Sequence, residues 1–495
     1  MTPAPDAPDI PRFDHWIDGS ARAAKGQIVR VSPETGKPAV SYAEGTADDA
    51  AAAVASARAA FDHGAWPRLS GTGRAEVLLR WAALVDEHAE RLAQLEVIEA
   101  GKTIRLARDD IGGVVNLIRY AAALAQQNSG EAFMDFGGAL NAFVVHEPVG
   151  VVGAIVPWNF PSIIFAQKVP FALAAGCTVV TKPSEMTSGT AVVLAELGSR
   201  AGLPDGALNV VTGYGDPVGQ YLVESPDVDM VSFTGSTRTG RKVLEGQLVN
   251  FKRVALELGG KSAAIVFGDA DLKAAVDGVM FSIFMHQGQV CCAGSRLLVE
   301  ESFADTFLSA LVARAKQLVV GDLRDERTDI GPLISRQHFA VVSQFVEQAG
   351  EEGAEVLCGG GAAAGDSLVF LPTVLDRVDP SMTVFNEEIF GPVLTVTRFR
   401  TPDEAVMLAN QSQYGLAGSV WTSSIDVAFQ VARRVRTGTI EITTSLEGQP
   451  QLPFGGYKAS GMGREKGTTG LAEFTETKTI GLRTARRPSF FSAPA

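Results

Sequence analysis

A thiol and a carboxylate, each on a short glycine-rich stretch, are the residues of this chain best suited to chemistry. Cys291 sits in Gly288-Gln289-Val290-Cys291-Cys292-Ala293, and Glu257 opens Glu257-Leu258-Gly259-Gly260-Lys261-Ser262. A thiolate attacks a carbonyl carbon, and the acyl-sulfur adduct that follows is opened by water once a base stands beside it. Either stretch alone carries little information. The pair has meaning only in a fold that brings two separate elements together.

An alternation of strands and helices is predicted to do this. β-branched runs at 149–156, 178–182, 208–212, 230–233 and 253–258 are separated by enough chain for one helix each, which predicts a parallel sheet with crossover connections. A second series begins near Lys261 and comprises 263–267, 296–299, a helix-like 303–319, 393–399 and 437–442. The two chemical motifs therefore straddle the junction of two α/β units. Earlier in the chain, 47–61 reads as a helix capped by Thr46, with Asp48 and Asp49 at its positive end, and helices dominate to about residue 127. Residues 128–148, with Phe143-Val144-Val145-His146 after a Gly-Gly pair, read as an extended hairpin suited to pairing with another subunit.

Composition narrows the class of protein. A chain of 495 residues, 46% hydrophobic and 20% charged, divides into two or three domains with room for an enclosed site. No apolar stretch reaches the ~18 residues that a membrane crossing needs. Met1 to Arg12 hold four prolines and two aspartates, unlike an export signal, so the cytoplasm is the expected compartment. Cys177, Cys291, Cys292 and Cys358 are too few for a disulfide framework, and neither Cys-x-x-Cys nor His-Glu-x-x-His occurs, so no metal site is expected. A net charge of −13 argues against nucleic acid as a partner.

Ligands of open α/β sheets bind where the strands end, so the residues that close each run are candidates. The first run ends in Pro157-Trp158-Asn159-Phe160-Pro161 and the second in Lys182-Pro183-Ser184-Glu185. Lys182 and Glu185 suit a ribose, because a carboxylate accepts from two vicinal hydroxyls and an ammonium adds a contact. Glu185 would also repel a 2′-phosphate, which favours NAD over NADP. The fourth run leads into Gly235-Ser236-Thr237-Arg238-Thr239-Gly240-Arg241. There the lysine of a nucleotide triphosphate loop is replaced by Arg241, yet a helix start at Ser236 still offers backbone amides to a pyrophosphate. Gly215, in a second glycine-rich turn, and Leu258 complete this set.

Together these segments resemble the aldehyde dehydrogenase superfamily, and the likeness runs from Trp16-Ile17-Asp18-Gly19 to Pro453-Phe454-Gly455-Gly456-Tyr457-Lys458. The resemblance implies two Rossmann-like open parallel-sheet domains, one for NAD and one catalytic, with a small β-hairpin oligomerisation element. On this chain those would be 1–127 with 149–259, 260–460, and 128–148 with 470–495. It implies oxidation of an aldehyde to its acid in a homodimer or homotetramer. Cys291 matches the nucleophile, Asn159 the oxyanion donor and Glu257 the general base. Lys168 and Glu465 match positions proposed to relay protons, while Glu388 and Phe390 match those that hold the nicotinamide ribose. Relatives that pass the acyl group to coenzyme A generally lack a glutamate at 257, so hydrolysis is expected over acyl transfer, and over an inactive structural relative.

Substrate choice falls by the same resemblance to Phe160, Ile164, Gln167, Met285, Val290, Cys292, Phe454 and the 443–452 loop. Gln167 stands where many relatives have tryptophan and where semialdehyde-type relatives have arginine, so no cationic clamp for an acidic substrate is expected. Thr443 replaces a frequent asparagine, and the loop after it has no aromatic residue. A wider or more polar tunnel is the expectation.

Overall fold

The computed structural model describes residues 10–491 apart from 128, 135, 137–138, 366 and 488. The first nine residues of the proline-rich start therefore lie outside the described residues, as do those positions of the expected hairpin and of the tail, and everything after 491.

The first sheet has eight strands, and its core consists of Arg253–Glu257, Met230–Thr234, Val151–Ile155, Thr178–Lys182 and Leu208–Val210, in that spatial order and all parallel. Four of these strands, Val151–Ile155, Thr178–Lys182, Leu208–Val210 and Met230–Thr234, are buried at every residue. That is the signature of strands covered on both faces by crossover helices. Antiparallel pairs close the two edges, with His15–Ile17 and Ser20–Arg22 on one side and Gly461–Met462 against Arg253–Glu257 on the other. The second sheet runs Glu355–Cys358, Thr373–Asp376, Val393–Phe399, Arg296–Glu300, Ala263–Val266, Gly418–Trp421 and Glu441–Ile442, parallel except for its first strand. An α/β architecture with two open, mainly parallel sheets is thus established.

Local chemistry explains the helices. Ala47–Asp62 starts at a capping box in which Thr46 N–H donates to the Asp49 carboxylate at 3.0 Å and Asp49 N–H donates to the Thr46 hydroxyl at 3.3 Å. Pro161–Ala175 opens with proline at its first turn and is buried almost throughout, as expected of a helix apolar on all sides. It lies between the first sheet and the long helix Ile104–Ala125.

Two expectations need correction. Residues 12–44 form five strands before the first helix, three of them only two or three residues long. Arg12–Phe13 owes its conformation to pairing with Ser41–Tyr42, and Ser20–Arg22 to a tight hairpin with His15–Ile17, rather than to an apolar pattern of their own. The run at 437–442 contributes only Glu441–Ile442, and its neighbour is the four-residue strand Gly418–Trp421. The hairpin is present as Glu131–Phe133 against Leu140–Pro148, and Thr475–Arg483 adds a third antiparallel strand along the whole of the latter.

Candidate active site

Four strand ends of the first sheet meet at one edge. Asn159 follows Val151–Ile155, Lys182 closes Thr178–Lys182, Thr234 leads into Gly235 and Ser236, and Glu257 closes Arg253–Glu257. Parallel pairing makes this a single edge, since all of these are carboxyl ends. The second sheet meets it with opposite polarity: Cys291 precedes Arg296–Glu300, and Glu388 and Phe390 precede Val393–Phe399.

Close approaches lock the motifs together. A Cβ on Gly260 would stand 2.3 Å from the Cys291 carbonyl oxygen, and one on Gly259 would stand 2.2 Å from the Glu388 carboxylate. Only glycine permits either contact. Gly260 N–H donates to Glu388 at 3.0 Å. On the far side, a Cβ on Gly455 would come within 2.7 Å of a Glu257 carboxylate oxygen. The glycines of the Glu-Leu-Gly-Gly and Pro-Phe-Gly-Gly stretches are therefore the surfaces on which the reactive groups pack.

Asn159 is 3% exposed and donates its side-chain amide to the Gln289 carbonyl at 2.9 Å. The Gln289 side chain accepts from Ile334 N–H at 2.9 Å, which pins the loop just before Cys291. Asn159 keeps a second N–H for another acceptor. A hydrogen bond with Cys292, burial, and the charges of Glu388 and Glu257 hold the Cys291 thiol well above its usual pKa. The Cys291 sulfur is therefore biased toward the thiol.

Glu257 is buried, and neither of its carboxylate oxygens has a hydrogen-bond partner among the described residues. Burial and then the charge of Glu465 lift its pKa well above the carboxylate range, against the opposing pull of Lys168 and Arg464. Lys168, fully buried, is ion-paired with Glu465 and donates to the Ser232 hydroxyl at 2.9 Å. Buried carboxyls without partners are rare outside sites of proton transfer.

Along the same edge, the Lys182 ammonium lies 3.6 Å from the Glu185 carboxylate, and the Ser184 hydroxyl lies 3.5 Å from it. Ser236 caps the helix Thr237–Glu245, its hydroxyl accepting from Thr239 N–H at 3.2 Å. The buried Thr234 hydroxyl has no partner among the described residues. Gly215 is exposed with open space around it, while the glycine that faces Lys182 is Gly219, where a Cβ would lie 3.7 Å from the lysine Cδ. Leu258 packs on Gly240 beneath this rim. Pro157 and Trp158 are half-buried, and the Trp158 ring meets Phe390 edge-on at 5.4 Å. A bare glycine surface, a free buried hydroxyl and a cation beside a carboxylate together suit a phosphate- and ribose-bearing cofactor.

Phe160, Met285, Val290 and Cys292 fall in one apolar cluster. Ile164 is buried and Gln167 half-buried on the helix after Phe160, and Phe454 pairs through its backbone with Glu465 at 2.7 Å in both directions. Several residues of the site were not anticipated. His338 packs on Trp158 and Phe390 and donates to the Phe390 carbonyl at 2.7 Å. Lys102, ion-paired with Glu96 and Asp110, lies 4.4 Å over the Phe160 ring. Lys466, only 6% exposed, comes 5.5 Å from the Phe454 ring.

Residues 16–480 match the aldehyde dehydrogenase family, and the chain belongs to it. It is 42% identical to betaine aldehyde dehydrogenase of Bacillus subtilis (strain 168), over 94% of this chain and 96% of that one. It is 44% identical to the NADP/NAD-dependent aldehyde dehydrogenase PuuC of Escherichia coli (strain K12), over 94% of each. Among solved structures, the NAD-dependent aldehyde dehydrogenase from Sinorhizobium meliloti superposes with a TM-score of 0.96 at 45% identity, covering 99% of both chains. Betaine aldehyde dehydrogenase from Staphylococcus aureus in complex with NAD+ gives a TM-score of 0.95 at 38% identity, covering 97% of this chain and 99% of that one.

Proposed function

We propose that Cys291 is the nucleophile, Asn159 the oxyanion donor and Glu257 the general base of an NAD-dependent aldehyde dehydrogenase. Aldehyde oxidation with NAD is the activity of the chain, and the assignment of these residues to it is our reading. The observation that carries it is the buried carboxyl of Glu257, which has no hydrogen-bond partner among the described residues, packs on Gly455 and is near enough to Cys291 and Cys292 for their charges to interact.

Loss of the Cys291 proton frees a thiolate that adds to the aldehyde carbon and leaves a negative oxygen in the tetrahedral adduct. The free N–H of Asn159 and the backbone N–H of Cys291 receive that oxygen; one such donor is typically worth ~10²–10³ in rate. Bound NAD supplies the acceptor for the hydrogen that leaves this carbon with its two electrons. Lys182, Ser184, Glu185, Gly235, Ser236, Glu388 and Phe390 are the residues assigned to hold it, with Pro157, Trp158, Gly215 and Leu258 along the rim. Glu257 then takes a proton from water, the hydroxide opens the thioester, and the acid leaves as Cys291 regains its proton. Lys168 and Glu465 lie behind the base, and we assign them to the exit of that proton.

We further assign 1–127 and 149–259 to NAD binding, 260–460 to catalysis, and 128–148 with 470–495 to assembly as a homodimer or homotetramer. Exposed Phe133, Leu140, Phe143, Ile480 and Leu482 on the three-stranded sheet support the last assignment. We propose a preference for NAD over NADP, because a carboxylate at Glu185 beside a ribose held by Lys182 would repel a 2′-phosphate. Four free thiols and the absence, among the described residues, of any helix long and apolar enough to cross a membrane support a cytoplasmic enzyme.

The test is a panel of aldehydes with NAD, followed by the absorbance of reduced nicotinamide, with the acid product quantified in the presence and absence of coenzyme A. Free acid without coenzyme A supports hydrolysis. Turnover that requires coenzyme A would transfer the reading to acyl transfer, and no turnover on any aldehyde would end it.

A further inference from the structure

Lys466 carries an ammonium that meets the Phe454 ring but makes no ion pair and no hydrogen bond among the described residues. Its backbone holds φ at +60°, a conformation that an L residue with a side chain rarely adopts. Glu465 N–H donates to the Phe454 carbonyl, Gly470 N–H to the Lys466 carbonyl and Gly467 N–H to the Pro450 carbonyl, at 2.7, 2.7 and 2.9 Å, and these bonds hold it there. Strain maintained in this way directs the side chain inward, past the Phe454 ring and up to the 443–452 loop. A Cβ on Gly448 would lie 3.5 Å from the Lys466 ammonium. That is ordinary van der Waals contact, so the loop backs directly onto the ammonium.

The charges acting on this ammonium belong to Cys292, Glu465, Glu257 and Glu441. Each has another engagement. Glu465 is ion-paired with Lys168, and Glu441 accepts from the N–H groups of Leu446 and Glu447 at 2.6 and 2.8 Å. Glu257 is biased toward its neutral form by burial, and Cys292 shares a hydrogen bond with Cys291. Among the described residues Lys466 makes neither an ion pair nor a hydrogen bond through its ammonium. A buried ammonium without a counter-charge is unfavourable unless a ligand completes it.

We propose that Lys466 sets substrate specificity: its ammonium pairs with a carboxylate carried by the aldehyde, so that aldehyde-acids are preferred to neutral or cationic aldehydes. This rests on the reading of Cys291 as the nucleophile of the same pocket. The carboxylate enters from the wall formed by Phe454 and Gly448, opposite the helix that carries Gln167, and no chemistry beyond the oxidation itself is required of Lys466.

The experiment measures kcat and KM at saturating NAD for butanal, pentanal and hexanal, for the ω-oxo acids of the same lengths, and for a trimethylammonium aldehyde. For the wild type, at least one ω-oxo acid should exceed its neutral counterpart in kcat/KM by about tenfold or more, mainly through KM. The trimethylammonium aldehyde should be the poorest substrate. Lys466→Met should lower the acid-to-neutral ratio at least about tenfold, and Lys466→Arg should retain most of it. The proposal is overturned if the wild type shows no preference for any ω-oxo acid, a result that does not depend on whether a variant folds. A ratio unchanged in Lys466→Met overturns it as well. Turnover of the neutral aldehydes without any preference would remove Lys466 alone, whereas no turnover of any aldehyde would remove the function reading and this proposal together.

Discussion

Gly260 and Cys291 touch through their backbones, with room for a hydrogen on Gly260 and nothing larger, since a Cβ would stand 2.3 Å from the Cys291 carbonyl oxygen. Gly260→Ala must therefore displace the loop that carries the thiol. A shift of about 1 Å in a reacting group costs on the order of 100-fold, so kcat/KM should fall by about that factor. Steric strain of this kind typically costs about 1–3 kcal/mol, which should appear in denaturant melts. A variant with wild-type kinetics would mean that the contact does not position the nucleophile.

Cys291→Ser should abolish oxidation, including the first turnover. Glu257→Gln should still release a burst of NADH and then stall, because only the opening of the thioester needs the base. Stopped-flow absorbance at enzyme concentrations high enough to see one turnover separates the two. Equal bursts from the wild type and Cys291→Ser would remove the thiol from the mechanism.

The pH profile should slope upward. The Cys291 and Glu257 pKa values are both raised, the first by its bond to Cys292 and by burial, the second by burial and Glu465. Each group therefore keeps its proton to higher pH than an unperturbed carboxylate or thiol would, and the fraction able to act as nucleophile or base grows as pH rises. Lys168 is among the charges that pull the Glu257 pKa down. Lys168→Met should consequently move the steady-state profile to higher pH while leaving the protein folded, as judged by circular dichroism. A profile that moves to lower pH, or does not move, would contradict the assigned role.

Glu185 stands 3.6 Å from Lys182 at the cofactor edge. Glu185→Ser should raise the ratio of NADP to NAD efficiency by about tenfold or more, because a repulsive charge is removed and the Lys182 ammonium is left free for a phosphate. An unchanged ratio would place the discrimination elsewhere.

Ile480 and Leu482 are about half exposed on Thr475–Arg483. Replacing both with aspartate should shift the sedimentation of the protein toward the monomer. Unaltered sedimentation would mean that this sheet is not the assembly surface.

The parallel core was legible because buried strands leave continuous β-branched runs, and Asn159, Lys182 and Glu257 were legible because they close those runs. What escaped was set by contacts that no local pattern carries. Arg12–Phe13 and Ser20–Arg22 are too short and too polar to carry a pattern, and they become strands only against Ser41–Tyr42 and His15–Ile17 respectively. Lys466 has no pattern of its own in the sequence, because its burial depends on contacts with Gly448 and Phe454. His338 gave no local cue, since its neighbours Trp158 and Phe390 lie far away in sequence.

Gly461–Met462 returns to pair with Arg253–Glu257 at the edge of the first sheet, and Glu465 follows it. The strand that ends in Glu257 consequently gains its outer neighbour from chain made long after it, and that edge of the sheet stays open until residues 461–465 are in place.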